Sequence, residues 1–93
     1  MQKEFYIISE YNKLNRLRVK TIIRCEARRA RTIFYTTDGK TYIESINIGR
    51  VMKKLSCYEF FFQTDKSHII SMEHFDYFDK KKNIAGRRSV DYS

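Results

Sequence analysis

Arginine side chains crowd one short stretch of the sequence, "EARRART", at residues 26–32. Three of the four residues at 28–31 are arginines, namely Arg28, Arg29 and Arg31. A guanidinium group presents a planar fork of donors that fits a phosphate and can bond bidentately to N7 and O6 of guanine in the major groove. One or two exposed arginines would be ordinary solubilising residues, but this density favours a binding role. The stretch predicts a loop between two strands that contacts phosphates or bases.

A second polar stretch, "QTDKSH" at residues 63–68, interrupts a segment that is otherwise aromatic and apolar. It contains neither Gly nor Pro, although these residues are common in turns that face solvent. Amide, hydroxyl and ammonium groups follow one another instead, on Gln63, Thr64, Lys66 and Ser67. A loop that reaches into a groove needs polar donors on a rigid base, and the flanking aromatics would provide that base once buried. Taken alone, the stretch could equally be a hydrated turn.

The excess of positive charge is clustered. The net charge is +8, and eight cations lie between Lys13 and Arg31 against one acid, Glu26. A second cluster with no acid inside it contains Lys80, Lys81, Lys82, Arg87 and Arg88. Such clusters concentrate anions and favour phosphate backbones, whose condensed counterions are released on binding. Nucleic acid is therefore the favoured partner, and a solvated basic face is the alternative.

Short β-rich segments must position these residues. "EFYIIS" at residues 4–9 predicts a first strand, and residues 17–27 alternate apolar and cationic side chains, with a second strand possible from Ile22. Two further β-rich runs flank Asp38 and Gly39, a dipeptide typical of tight hairpins. Beyond residue 57, the sequence predicts two or three short strands and a charged turn at residues 79–83, followed by a tail with weak signals.

One helix is expected between these strands. An apolar stripe with the spacing i, i+3, i+4 and i+7 is formed by Ile48, Val51, Met52 and Leu55. Ser45 or Asn47 can cap its start, and two lysines suit the negative end of its dipole. Because βαβ spacing is absent, the strands should pair antiparallel. The sequence predicts one mainly β domain, residues 1–93, with one short α-helix.

Other functions have little support in the sequence. Ser67 and His68 are adjacent, so on a strand their side chains would point to opposite faces, and no catalytic or phosphate-loop motif occurs. The two Cys and two His show no zinc-ligand spacing, and no apolar run reaches membrane-spanning length. Cys25 and Cys57 are expected to be reduced thiols of a cytosolic protein, with one disulfide left open. We expect no enzyme, cofactor or metal.

The order of these features resembles the LytTR DNA-binding domain of bacterial response regulators. The first signature of that family, an apolar pair, a Glu and a polar loop, falls on Ile22, Ile23, Glu26 and residues 27–31. The second falls on residues 61–75, where the matching residues are Phe61, Ser67, Ile69, Ile70, Met72 and Phe75. Departures from it occur at Gln63, Asp65, Lys66 and Ser71. The tail "AGRRSV" is similar to the family's terminal element, although the interval before it is about one strand and turn shorter.

The resemblance implies an elongated fold of small antiparallel β-sheets whose loops enter successive major grooves. It implies a cytoplasmic transcriptional regulator of a two-component system that binds double-stranded DNA at promoter repeats, commonly as a pair of domains. The usual partner, an N-terminal phospho-receiver domain, is not part of this sequence. Three DNA-contacting groups are expected: Arg28, Arg29 and Arg31; Gln63, Lys66 and Ser67; and Arg87 with Arg88.

Two alternatives remain open. A nonspecific or RNA-binding basic β domain would stack bases on exposed aromatic side chains. A protein-interaction module would instead present its basic face to an acidic partner. Within the LytTR interpretation, Glu26 and Asp38 are expected to be structural, and Lys80, Lys81 and Lys82 would attract the phosphate backbone without reading sequence.

Overall fold

The computed structural model describes residues 4–79, 81–82 and 84–86. Its α-helix is α1 (Ile48–Leu55), and a 3₁₀ turn spans Val19–Thr21. Its strands are β1 (Phe5–Glu10), β2 (Lys13–Arg18), β3 (Ile22–Arg28), β4 (Arg31–Thr36), β5 (Thr41–Glu44), β6 (Phe61–Asp65), β7 (His68–Ser71), β8 (Tyr77–Asp79) and β9 (Ile84–Gly86). The molecule is elongated, with extents of 52 × 27 × 26 Å.

Antiparallel pairing organises all of these strands. A central five-stranded sheet has the order β5-β4-β3-β7-β6, and the hairpins β1-β2 and β8-β9 form two small sheets of their own. Strand β7 therefore inserts between β3 and β6, although β3 and β7 are separated in sequence by the helix and three strands. The predicted fold class, mainly antiparallel β with one short helix, is confirmed.

The core lies between the central sheet, the β1-β2 hairpin and α1. Fully buried side chains from the central sheet, β1 and α1 meet there, among them Ile8, Ile22, Phe34, Val51 and Leu55. Burying an aliphatic or aromatic side chain of this size contributes about 1.5–3 kcal/mol. An eight-residue helix is too short to persist alone, so this packing stabilises α1.

The ends of α1 follow the sequence prediction. Asn47 is the N-cap, and its Oδ1 accepts a hydrogen bond from the Arg50 amide at 2.9 Å. A cap of this kind contributes about 1 kcal/mol. Lys53 and Lys54 lie in the last turn. Of the two predicted caps, Asn47 fills the role and Ser45 does not.

Three local details complete or correct the sequence prediction. The 3₁₀ turn separates β2 from β3, which locates the break expected near Ile22. The connection between β4 and β5 has four residues, 37–40, and only Gly39 in it has a positive φ, +80°. Asp38 instead accepts a hydrogen bond from the Lys40 amide at 3.0 Å. Finally, residues 84–86 of the weakly patterned tail form β9, which pairs directly with β8.

Cys25 and Cys57 are not joined in a disulfide; Cys25 is buried and Cys57 is exposed. Burial raises the pKa of the Cys25 thiol well above its usual range. Within residues 4–79, 81–82 and 84–86, no helix is long and apolar enough to cross a bilayer. The same residues contain no group of three or more His, Cys, Asp or Glu side chains that could hold a metal ion.

Candidate nucleic-acid interface

Two hairpin turns emerge from the same end of the central sheet. Strand β3 is antiparallel to both β4 and β7, with Arg28 opposite Arg31 and Glu26 opposite His68. The turn between β3 and β4 and the turn between β6 and β7 are therefore neighbours. The Ala27 amide joins them directly by donating to the Ser67 carbonyl oxygen at 2.7 Å. We call this end of the sheet, defined by residues 28–31 and 65–68, the tip end.

The β3-β4 turn presents the three predicted arginines. Arg28, Arg29 and Arg31 are all exposed. Arg29 has φ +58°, a conformation that costs a non-glycine residue about 1 kcal/mol or more. Arg31 donates from Nη2 to the Tyr11 hydroxyl. Within the described part of the chain, the Arg28 and Arg29 guanidinium groups bond to nothing, so their donors point to solvent.

The β6-β7 turn is closed by an aspartate. Asp65 Oδ1 accepts hydrogen bonds from the Ser67 amide at 2.7 Å and lies 2.9 Å from Nδ1 of His68. The hydrogen bond from the Ser67 amide is the larger cause, and the contact with His68 the second, of a pKa of Asp65 that lies below its usual value. A side chain that bonds a backbone amide two residues ahead can replace Gly or Pro in a turn. Asp65 is therefore used by the hairpin itself.

The predicted loop at residues 63–68 is shorter than expected. Gln63 and Thr64 lie inside β6, so the prediction that they belong to a loop is wrong. Backbone pairing extends to Asp65, and only Lys66 and Ser67 form the turn. The Gln63 side-chain amide donates to the Asp65 carbonyl oxygen at 3.1 Å, and this hydrogen bond stabilises the turn. Lys66 is exposed and bonds to nothing in the described part of the chain.

A polar cluster supports both turns from one face of the sheet. Tyr35 donates to Glu26 Oε1 at 2.8 Å, and the Arg24 guanidinium carbon lies 3.8 Å from the centre of the Tyr35 ring. Nε2 of His68 lies 3.8 Å from the second oxygen of Glu26. Glu26 thus connects β3, β4 and β7, which agrees with its expected structural role. The sequence did not identify Arg24 and Tyr35 as its partners, because only the strand register brings them together.

The spacing of the two turns limits what they can contact. The order β4-β3-β7-β6 separates their midpoints by two strand spacings, about 10 Å. Successive major grooves on one face of B-DNA are about 34 Å apart. These two turns therefore match one groove and its bordering phosphates. The remaining predicted contacts, Arg87 and Arg88, lie outside the described residues, as does Lys80, whereas Lys81 and Lys82 are exposed in the β8-β9 turn.

Sequence reasoning missed one residue at the tip end. The Ser45 amide, directly after β5, donates to the Ser9 carbonyl oxygen at 2.9 Å, which brings the end of β1 to the tip end. Tyr11, in the turn between β1 and β2, is 67% exposed and contacts Arg31. In the sequence, this region shows only two turn-prone Asn residues, Asn12 and Asn15. No local signal links residues 20 positions apart.

No family model matches the sequence, and no curated protein matches it. The structure is similar to the LytTr DNA-binding domain of a putative methyl-accepting/DNA response regulator from Bacillus cereus, with a TM-score of 0.62 and 14% sequence identity. The similarity covers 80% of this chain and 66% of the Bacillus cereus chain. This chain therefore corresponds to only part of the length of that protein. At 14% identity the likeness establishes the fold alone. This chain has the fold of a LytTr DNA-binding domain, as its sequence motifs predicted.

Proposed function

We propose that this chain is a sequence-specific, double-stranded DNA-binding domain of a bacterial transcriptional regulator. One observation carries the proposal: the Arg28, Arg29 and Lys66 side chains, which have no partner among the described residues, project from two joined hairpin turns at one end of a rigid sheet. Cations with no partner among the described residues are available for phosphates, and the fixed strands limit the backbone freedom that is lost on binding. The similar protein from Bacillus cereus is itself described as DNA-binding, which supports this choice of ligand.

The two turns would divide the work of recognition. Arg28 and Arg29 would contact phosphates or guanine edges, because an arginine fork fits both. Lys66 and the Ser67 hydroxyl would reach the neighbouring bases or backbone about 10 Å away. Gln63 would act mainly by bracing the β6-β7 turn through its bond to Asp65. Arg87 and Arg88 would extend the contact, following the family resemblance.

The wider setting follows from the same resemblance. A single LytTR-type domain at residues 1–93 would act without catalysis or cofactor, in the cytoplasm, joined to or served by a phospho-receiver domain. Two such domains would bind adjacent promoter repeats. A pair of domains on tandem sites would multiply affinity through effective concentration, which suits short half-sites of modest individual affinity.

The test is selection from a pool of duplexes with a random core, near physiological salt, followed by sequencing of the retained DNA. Enrichment of a spaced pair of short repeats would establish sequence-specific binding and give the half-site spacing. Retention without enrichment would reduce the function to backbone binding. Failure to retain any duplex, even at low salt, would overturn the proposal in favour of a partner other than DNA.

Lys66 tests whether the β6-β7 turn reads bases. Lys66→Ala should weaken binding to the selected duplex by about 1–3 kcal/mol if the ammonium group contacts a base. Lys53→Ala, which removes an exposed lysine from α1, is the matched control and should have little effect. Fluorescence anisotropy on the selected and on a scrambled duplex separates the two roles. Equal losses on both duplexes would show that Lys66 contacts only phosphate.

Single-stranded nucleic acid is the second candidate. Among the described residues, three aromatic side chains are exposed: Tyr11 at 67%, Phe62 at 52% and Tyr77 at 41%. Exposed aromatic rings can stack on unpaired bases at about 1–3 kcal/mol per base. Competition between the selected duplex and single strands of the same length distinguishes the candidates. Preferential displacement by the single strands would favour this one.

A further inference from the structure

The turn between β1 and β2 reaches the tip end of the molecule beside the β3-β4 turn. Both are two-residue turns, Tyr11 with Asn12 and Arg29 with Ala30. In the described part of the chain, Tyr11 and Arg29 are the only non-glycine residues with positive φ, +52° and +58°. Glycine would adopt this conformation without a steric penalty. Two large, exposed side chains therefore occupy neighbouring positions where the backbone alone would favour glycine.

The side chain of Tyr11 contacts Arg31 of the β3-β4 turn. Its hydroxyl accepts a hydrogen bond from Nη2 of Arg31, and the guanidinium carbon of Arg31 lies 5.1 Å from the centre of its ring. Tyr11 is nevertheless 67% exposed, so the contact buries little apolar surface and contributes little to the core. Backbone conformations of this kind cluster at functional sites, so Tyr11 is a candidate for a binding role.

We propose that the β1-β2 turn is an additional DNA-contacting element, in which Tyr11 positions the Arg31 guanidinium for a phosphate and Lys13 contacts the adjacent backbone. This inference rests on the proposed DNA-binding function. The ligand is the phosphodiester backbone next to the groove that the other two turns face. Neither the sequence motifs nor the structural likeness assigns a role to this turn.

The geometry leaves Arg31 able to bind while it is held. A guanidinium group has five N–H donors, and Tyr11 engages Nη2, so the donors of Nη1 and Nε remain available for phosphate oxygens. An unrestrained arginine loses rotamer freedom when it binds. Because the Tyr11 contact already restricts the Arg31 side chain in the free protein, Arg31 loses less rotamer freedom on binding. Tyr11 is thus a positioning residue.

Lys13 extends the same surface by one position. It is exposed at the start of β2 and forms no ion pair within the described residues, although Glu10 lies opposite it in register. An ammonium group that contacts a phosphate contributes about one unit to the slope of log affinity against log salt. Three turns in a row would also give a longer footprint than the two turns of the central sheet.

The experiment compares Tyr11→Phe, Arg31→Gln and the double variant by fluorescence anisotropy on the duplex recovered by selection, or on a random-core duplex if none is enriched. Tyr11→Phe keeps the ring and the turn but removes the hydroxyl, so affinity should fall about two- to tenfold. In the Arg31→Gln background, the same change should have no further effect. That non-additivity distinguishes positioning of Arg31 from a direct or purely structural role.

Matched controls use other exposed residues. Lys13→Gln should lower the salt slope by about one, whereas Lys40→Gln, at the opposite end of the sheet, should leave it nearly unchanged. Leu14→Ala, which changes a 70% exposed side chain on the same hairpin, should bind like the wild type. Denaturation curves of each variant check that the fold is intact.

Three outcomes would overturn the inference, and they are distinguishable. If the wild type binds duplex and Tyr11→Phe binds equally well, the β1-β2 turn takes no part and the proposed function stands. Additive effects of Tyr11→Phe and Arg31→Gln would likewise remove the positioning role. If the wild type binds no duplex at any salt concentration, the proposed function and this inference fail together.

Discussion

The Glu44 carboxylate and the Arg29 guanidinium are both charged groups at the end of a β-strand, yet their surroundings differ completely. Glu44 is fully buried, and its oxygens contact the Tyr6 hydroxyl at 2.5 Å, the Ser9 amide at 3.2 Å and Nζ of Lys54 at 2.7 Å. Burial, and then the bond to Glu44, raises the pKa of Tyr6 far above its usual range. Arg29 is exposed and bonds to no group in the described part of the chain.

This difference distinguishes charged groups that stabilise the fold from charged groups that are available to a partner. The Glu44 cluster joins β1, β5 and α1, and its bonds to Tyr6 and Ser9 span 38 and 35 residues of the sequence. A buried carboxylate without such partners would be strongly unfavourable. The guanidinium of Arg29 connects no elements within the described part of the chain, and the backbone of Arg29 is strained, with φ +58°. We therefore expect substitutions at the first site to change stability and substitutions at the second to change binding.

Removing the buried carboxylate should have the largest effect. Glu44→Ala leaves the Tyr6 hydroxyl and the Ser9 amide without their acceptor and should lower the free energy of unfolding by about 3 kcal/mol, measured by urea denaturation. The exposed pair between Glu4 and Arg18 supplies the control, because Glu4→Gln should change stability little. A loss below about 1 kcal/mol for Glu44→Ala would show that the cluster is not important for stability.

Removing the arginines of the β3-β4 turn should give the converse result. Replacing Arg28, Arg29 and Arg31 together by Gln should weaken duplex binding about a hundredfold and lower the salt slope by about three, with little change in stability. A variant with Lys20, Lys40 and Lys53 replaced by Gln loses the same net charge away from the turns. Equal losses in the two triple variants would mean that only net charge attracts DNA, and would remove the distinction between the regions.

Much of the fold could be predicted because its signals are local. The apolar stripe and the Asn47 cap specify α1, and Asp38 with Gly39 marks the β4-β5 connection. The arginine turn was also predictable, because three cations follow one another between two β-rich runs. In each case the information lies within about ten residues of chain, which is the range over which periodicity and turn chemistry act.

The rest depends on strand order, which local patterns do not encode. Insertion of β7 beside β3 brings the β6-β7 turn next to the arginines and Glu26 next to His68. Glu44 falls in a short β-rich run, and nothing in that run distinguishes a buried carboxylate from an exposed one. The contact between Tyr11 and Arg31 likewise requires two hairpins to end at the same place. Long-range pairing decides all of these features.

The strained position in the β3-β4 turn offers a finer test of the comparison. Arg29→Gly and Arg29→Ala remove the same guanidinium group, so they should weaken duplex binding equally, by several-fold. Only glycine relieves the positive φ, so Arg29→Gly should be more stable than Arg29→Ala by about 1 kcal/mol in thermal or urea unfolding. Unequal binding with equal stability would show that the shape of the turn, rather than the arginine side chain, is what DNA requires.

The smallest effect is expected from Asp65, an acid that lies among cations at the tip end and is used internally. Because its pKa is lowered in the folded state, mainly by the Ser67 amide, the stability it contributes is present above its unfolded pKa of about 3.9. That stability is lost as the pH falls through the lower folded pKa. Asp65→Asn should therefore flatten the loss of stability between about pH 5 and pH 3, measured by thermal unfolding across that range.

Asp38 has a lowered pKa through the Thr36 hydroxyl, so Asp38→Asn provides a matched comparison at the opposite end of the sheet. If Asp65→Asn leaves the acid limb unchanged while Asp38→Asn flattens it, the β6-β7 turn does not depend on its aspartate. Its geometry would then come from strand pairing alone, which would leave the Asp65 carboxylate, like the Arg29 guanidinium, free to act on a partner.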